Sequence, residues 1–277
     1  MLPDTQFYSE NDPEVFDIQT KWIAADWVDI DYVIHVGDLV QHWDNRREWE
    51  RASSSFSILE KKNIPYGVVA GDHDNGIWAK GETDYSYYDE YFGYERFADT
   101  PWYGGSSSTQ TNHHSYHLFK SDETPFVILY LSFENSRQIP LEWADSVLST
   151  YADRPAIVVT HSNIFSDGSH SSMGGAIYNS VVKNNKNVRL VVDGHSIGPH
   201  HDAVVRTKVQ SRIVYEVHQN YQHLDPTGGN GWLRLYTLAP NSKEVSVRTY
   251  SPYLNKSAVG DSNEFTLIYD SPFAEPQ

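Results

Sequence analysis

Residues 67–74 read Gly-Val-Val-Ala-Gly-Asp-His-Asp, a β-branched run that stops at a glycine and then presents three polar side chains in succession. A short apolar run bounded by glycine is how a strand reads when both faces of its sheet are covered. The same construction recurs elsewhere in the chain. Val33-Ile34-His35-Val36-Gly37 leads to Asp38, Ala156-Ile157-Val158-Val159-Thr160 to His161, Leu190-Val191-Val192-Asp193-Gly194 to His195, and Met1-Leu2-Pro3 to Asp4. In open α/β sheets the ligand crevice lies beyond the carboxyl ends of the strands, so these side chains are expected to converge. Asp4, Asp38, Asp72, His161 and His195 are all metal-ligand types, and the convergence reads as a metal centre.

The segments between the runs supply the alternation that makes a mainly parallel sheet. Val15, Ile18, Trp22, Ile23 and Trp27 recur at helical spacing before the run ending at Asp38, and Trp49, Ala52, Phe56 and Leu59 do so before the run ending at Asp72. Strand and helix then alternate through Phe126–Leu131, Leu141–Tyr151, the run before His161, Ala176–Lys183 and the run before His195. Beyond it the period changes to two, which predicts antiparallel strands at Ile213–Gln219, Trp232–Leu238, Val245–Tyr250 and Phe265–Tyr269. At about 75–117 the rhythm breaks into a tyrosine-rich stretch, expected to be an excursion over the site. No long Pro/Gly/Ser linker divides the 277 residues, so one α/β domain is expected over 1–277.

Composition narrows the partners. A formal charge of −16 without a Lys/Arg cluster argues against a nucleic-acid backbone, and no apolar run approaches the length of a membrane span. The expected partner is a small or polymeric substrate, and oligomeric state is not legible. An aromatic share of 14% suits a packed core and a surface able to stack on flat ligands such as sugars. With no cysteine, metal ligation falls to histidine and carboxylates. Only three residues precede Asp4, too few for a full strand, and the acidic, Ser-, Asn- and Tyr-rich composition fits export. The expectation is a secreted or periplasmic protein whose targeting segment was removed and a Met appended.

At the level of side chains, Gly37 lets the backbone turn sharply before Asp38, whose two carboxylate oxygens suit it to bridge two cations. In Gly71-Asp72-His73-Asp74, Asp72 is of ligand type, His73 supplies an imidazole, and Asp74 is the carboxylate expected to fix its tautomer. His161 and His195 add neutral nitrogen donors, a set suited to zinc, iron or manganese, with calcium as a further divalent candidate.

With these motifs in this order, from Asp4-Thr5-Gln6 through Gly37-Asp38, Gly71-Asp72-His73-Asp74 and Thr160-His161 to Gly194-His195, the chain resembles the calcineurin-like metallophosphoesterase family, in its bacterial secreted type. The resemblance extends to Gly228–Arg234 and Tyr250-Ser251-Pro252. It implies a four-layer αββα sandwich with mixed sheets and a two-metal site. Asp4 and Asp38 would hold the first metal, and Asp38, Asp72, His161 and His195 the second. A metal-held hydroxide would attack phosphorus in line, and His73, oriented by Asp74, would face the leaving group.

The chain departs from the family pattern at three positions: Gln6 replaces a histidine, Asp72 an asparagine, and Ile197 the second histidine of a Gly-His-x-His motif. Isoleucine cannot coordinate, so the expectation is one tightly bound divalent ion and a second site weakened or lost, unless His200 or His201 supplies the missing ligand. Three functions follow. The first is a metal-dependent hydrolase of phosphate mono- or diesters. The second is a polysaccharide lyase or glycoside hydrolase on the same fold, and the third a binding protein with a residual metal site. His113, His114 and His117 form a separate histidine cluster in a polar loop, His218, Tyr221 and His223 are positioned to line the cleft, and His35 reads as core or as support for the ligands.

Overall fold

The computed structural model describes residues 1–121, 124–135, 137–197, 204–224, 227–239 and 241–273. Thirteen strands appear among them: β1 (Val33–His35), β2 (Tyr66–Val68), β3 (Tyr103–Ser106), β4 (His114–Ser121), β5 (Thr124–Leu131), β6 (Ala156–Thr160), β7 (Val188–Asp193), β8 (Val204–Val209), β9 (Arg212–His218), β10 (Leu233–Leu238), β11 (Glu244–Ser251), β12 (Lys256–Ser257) and β13 (Glu264–Ile268). The helices are α1 (Gln6–Glu10), α2 (Pro13–Ile23), α3 (Arg46–Glu60), α4 (Ile77–Lys80), α5 (Ser86–Phe92), α6 (Tyr94–Phe97), α7 (Leu141–Thr150) and α8 (Ser172–Ile177), the last running on as a wider π-type turn, Tyr178–Val182.

Seven strands form one mixed sheet in the order β3-β4-β5-β6-β7-β9-β8, parallel from β5 through β9 and antiparallel at both margins. The second sheet is assembled from the two ends of the chain. β1 and β2 pair in parallel, and β10, β11 and β13 pair antiparallel. Met1 and Leu2 join these pieces: Leu2 N–H donates to the Ile34 carbonyl at 2.7 Å, and Arg234 N–H to the Met1 carbonyl at 3.0 Å.

Apolar side chains explain the layering. Ile128, Tyr130, Val159, Leu190, Val192 and Val217 from the large sheet meet Val36, Val69, Val245, Val247 and Leu267 between the sheets. Alternate residues of the same strands, Val127, Leu129, Val158 and Val191, turn outward onto Ala144 and Leu148 of α7 and Ile177 of α8. On the far side, Phe16 of α2 and Trp49, Ala52, Phe56 and Leu59 of α3 cover Val33 and Tyr66. A strand buried on both faces needs apolar residues without alternation, which is why the runs are continuous. The order of layers is helix, sheet, sheet, helix, as expected from the sequence.

Several expectations need correction. Residues 213–219 do not join the C-terminal antiparallel set: β9 lies in the large sheet, antiparallel to β8 on one side and parallel to β7 on the other. The rings of the 75–117 stretch serve chiefly as core: Tyr88, Phe92 and Phe97 are fully buried beside Trp49, Phe56 and Tyr66, and β3 with the start of β4 lies at the margin of the large sheet. Helix α2 ends at Ile23, and Trp27 is 74% exposed rather than part of its apolar face. Among the described residues, no helix is long and apolar enough to cross a membrane.

Candidate metal centre

The first two ligand-bearing strands stop short of their aspartates. β1 ends at His35 and β2 at Val68, and the backbone then bends before Asp38 and Asp72. Gly37 has φ 102° and Asp38 φ 52°, while His195 has φ 68°. Left-handed backbone at a non-glycine residue is uncommon and concentrates where a site demands it. The glycines answer crowding as well as curvature. A Cβ on Gly71 would lie 2.0 Å from Asp38 Oδ1, and one on Gly194 2.0 Å from Asp4 Oδ1, so hydrogen is the only side chain that fits there.

These bends gather all five candidate ligands. Donor atoms of Asp72, His161 and His195 lie within 4.8 Å of one another, and so do those of Asp4, Asp38 and His161. His161 Nε2 is the hub, 3.1 Å from Asp72 Oδ1, 3.4 Å from Asp38 Oδ1 and 3.2 Å from His195 Nδ1. Its Nδ1 lies 2.9 Å from the Val36 carbonyl, which can only accept, so the proton sits on Nδ1 when the ring is neutral and Nε2 keeps its lone pair. His195 Nδ1 lies 3.0 Å from Asp72 Oδ1, and the His195 N–H donates to Asp4 Oδ2 at 2.9 Å.

Asp4, Asp38 and Asp72 are almost wholly buried, and among the described residues the ion-pair partners of Asp38 and Asp72 are histidines alone. Burial pushes the Asp4 carboxyl well above the usual carboxylate range, with the charge of His161 opposing. Burial also raises Asp72, but the hydrogen bonds of His161 and His195 outweigh it and hold that carboxyl below its ordinary value. Burial alone would lower His161; the surrounding charges of Asp38, Asp72 and Asp4 drive it well above 6.5. The raised Asp4 and His161 report a pocket short of positive charge. Asp4 Oδ1 and Gln6 Oε1 are also buried acceptors without a hydrogen-bond partner among the described residues. Hard oxygen donors with two imidazoles and no thiolate fit a divalent cation of the zinc, manganese or iron kind.

The surrounding residues hold the ligands in place. His35, fully buried, accepts the Gly37 N–H on Nδ1 at 3.1 Å, and its Nε2 lies 2.9 Å from Thr5 Oγ1; burial, then the charge of His161, lowers its pKa to about 3, so it stays neutral. The expected pairing of Asp74 with His73 is replaced by another. Asp74 receives the Val40 N–H at 3.0 Å and the Gly71 N–H at 2.8 Å, tying the two ligand loops together, and burial, then the Asp38 charge, raises its carboxyl to about 7. The His73 ring instead sets Nδ1 2.8 Å from the Gln41 carbonyl, while its backbone N–H donates to Asp38 Oδ1 at 3.2 Å. Glu48 fixes that carbonyl by accepting the N–H groups of Gln41 and His42.

Asn220 was not foreseen. Its Nδ2 donates to Asp4 Oδ2 at 2.9 Å and to the His195 carbonyl at 3.1 Å. It lies two residues beyond the end of β9, so the strand-end rule applied to that strand would have found it. Phe133 closes the pocket with its ring centroid 5.8 Å from His161 and 5.3 Å from His195. Gln6 is buried and spends its amide N–H on Gln41 Oε1 at 2.6 Å. Ile197 is 58% exposed, and His200 and His201 lie outside the described residues. The cluster at 113–117 is dispersed: His113 stacks on Tyr85 and pairs with Asp89, His114 lies 3.5 Å from Glu134, and His117 is buried against Tyr32. His218 is also buried, with Nε2 3.0 Å from the Ser196 carbonyl.

Comparison with known proteins agrees with this geometry. A profile of the calcineurin-like phosphoesterases matches residues 4–199. The uncharacterized protein YvnB of Bacillus subtilis (strain 168) is 34% identical over 97% of the chain, which spans only 21% of YvnB. Among solved structures, a dimetal phosphatase from Danio rerio superposes with TM-score 0.56 at 12% identity, covering 94% of this chain and 90% of that one. The purple acid phosphatase PPD1 of yellow lupin gives 0.54 at 15% identity, over 91% and 49%. TT1561 of Thermus thermophilus gives 0.51 at 15% identity, over 95% and 97%. Likeness at such identities speaks for the fold.

Proposed function

The chain belongs to the calcineurin-like phosphoesterase family, and from that premise we propose that it hydrolyses phosphate diesters at a divalent-metal centre built on Asp38 and His161. The observation that carries this reading is the sharing of His161 between two overlapping donor groups, Asp72–His161–His195 and Asp4–Asp38–His161. Bound divalent cations neutralise charge on phosphoryl oxygens and make water a better nucleophile near neutral pH.

The chain's own residues do the rest. One imidazole nitrogen has one lone pair, so Nε2 of His161 can serve one ion at a time. With Asp72, Asp38 and His195 it forms a four-donor set, which leaves Asp4, the second oxygen of Asp38 and Gln6 for any second ion. We therefore assign the tight site to the Asp72 side and a weaker one to the Asp4 side. His73 donates its Nδ1–H to the Gln41 carbonyl, so Nε2 is the ring atom left to take up a proton from solvent and pass it to the departing oxygen. Asp72 favours diesters over monoesters. A monoester brings close to two negative charges at neutral pH and a diester one, and a third buried carboxylate repels the monoester more.

An assay of matched aryl phosphate mono- and diesters with added Mn or Zn tests this. The expected result is a higher kcat/KM for the diester, abolished by Asp38→Ala. A preference for the monoester, or turnover that survives Asp38→Ala, contradicts the proposal.

A further inference from the structure

Trp78 is 65% exposed, yet its indole is firmly placed. It stacks on the His73 imidazole with ring centroids 4.9 Å apart and planes 16° from parallel. It sits on α4, a single helical turn bracketed by left-handed Gly76 and Gly81. That turn is braced. Lys80 pairs with Asp84 at 3.0 Å and lies over the Trp43 ring, 4.6 Å from its centroid, while the Trp78 backbone N–H donates to the Asp72 carbonyl at 3.4 Å. Leaving an indole in water forgoes the stabilisation that burying so large an apolar side chain gives. A braced indole packed against an imidazole that handles protons is an arrangement suited to stacking a ring of the substrate.

We infer that Trp78 is the leaving-group subsite, stacking a flat neutral ring carried by the alcohol that departs from a phosphodiester. This rests on the phosphodiesterase reading, in which His73 delivers a proton to that alcohol's oxygen. The ring is neutral because Asp44, next in sequence to Trp43, and Glu82, four residues after Trp78, are exposed acids and the whole chain carries a formal charge of −16, both unfavourable to a further anionic group. An aromatic ring and a pyranose offer the same stacking face.

The test uses three methyl phosphodiesters whose leaving groups are all primary alkoxides: benzyl, a glucoside esterified at its primary hydroxyl, and hexyl. Their kcat/KM values are compared in wild type, Trp78→Ala and Trp78→Phe. In Trp78→Ala the ratio of at least one ring ester to the hexyl ester falls about tenfold, and Trp78→Phe keeps most of it, as expected for stacking on an aromatic face. The two ring esters tell which kind of ring is preferred. Ratios unchanged in Trp78→Ala overturn the inference while leaving the phosphodiesterase reading standing. Should wild type cleave none of the three, that reading falls, and saturation-transfer NMR with benzyl alcohol and methyl glucoside decides the subsite by itself. Transfer in wild type that disappears in Trp78→Ala supports it; equal transfer in both, or none in either, overturns it.

Discussion

The two halves of the metal centre meet at His161 and Asp38 and differ in their other donors. On the Asp72 side, two imidazoles face one carboxylate whose hydrogen bonds keep it ionised. On the Asp4 side, carboxylates meet with an unpartnered oxygen and a buried acid driven toward its neutral form. Both sides are equally buried at their aspartates. The difference lies in donor type, and it teaches that a site can keep the outline of two positions while its nitrogen donors favour one.

The largest effect that can break this comparison is loss of the hub. Replacing His161 with alanine removes the nitrogen on which both donor groups depend, and kcat for phosphodiester cleavage falls on the order of a thousandfold, the loss of several kcal/mol of charge stabilisation. Activity retained within tenfold, measured at saturating metal, would show that the centre does not depend on this atom. A smaller effect comes from histidines that play the opposite part. Around His161, carboxylates raise the imidazole pKa; His35 and His117 lie where burial lowers it to about 3. Between pH 6.5 and 3 the unfolded chain binds protons that these two rings refuse in the folded state, so stability falls as pH drops through that window. Each contributes about 2 kcal/mol of loss by pH 5. Urea unfolding at pH 7 and pH 5 checks it: His117→Gln loses less on acidification than wild type, and equal losses would exclude His117.

Much of this arrangement is legible in residue order because strand ends carry chemistry. Asp38, Asp72, His161 and His195 each follow a buried apolar run, and the fold brings the ends of those runs to one edge. Chain reversals were harder to read. Asp74 is adjacent to His73, and the sequence suggests a pair; the bends that place Asp38 let Asp74 reach the amides of Val40 and Gly71, leaving His73 to a carbonyl from another loop. Asn220 escaped because it lies two residues past the end of β9, a strand end not read as ligand-bearing, although it reaches Asp4, 216 residues away. β9 is antiparallel to β8, as its period of two suggests, but its place in the large sheet and its parallel pairing with β7 are facts of topology that alternation cannot reveal. Trp27 continues the spacing of α2 past the point where the helix stops at Ile23.

Equilibrium dialysis of the stripped protein against Mn or Zn, followed by metal analysis of wild type and Asp4→Asn, tests the asymmetry most directly. The account predicts one ion bound tightly by both proteins and a second, much weaker step present in wild type and missing in Asp4→Asn. Two ions of equal affinity in wild type, or loss of the tight ion in Asp4→Asn, would contradict it.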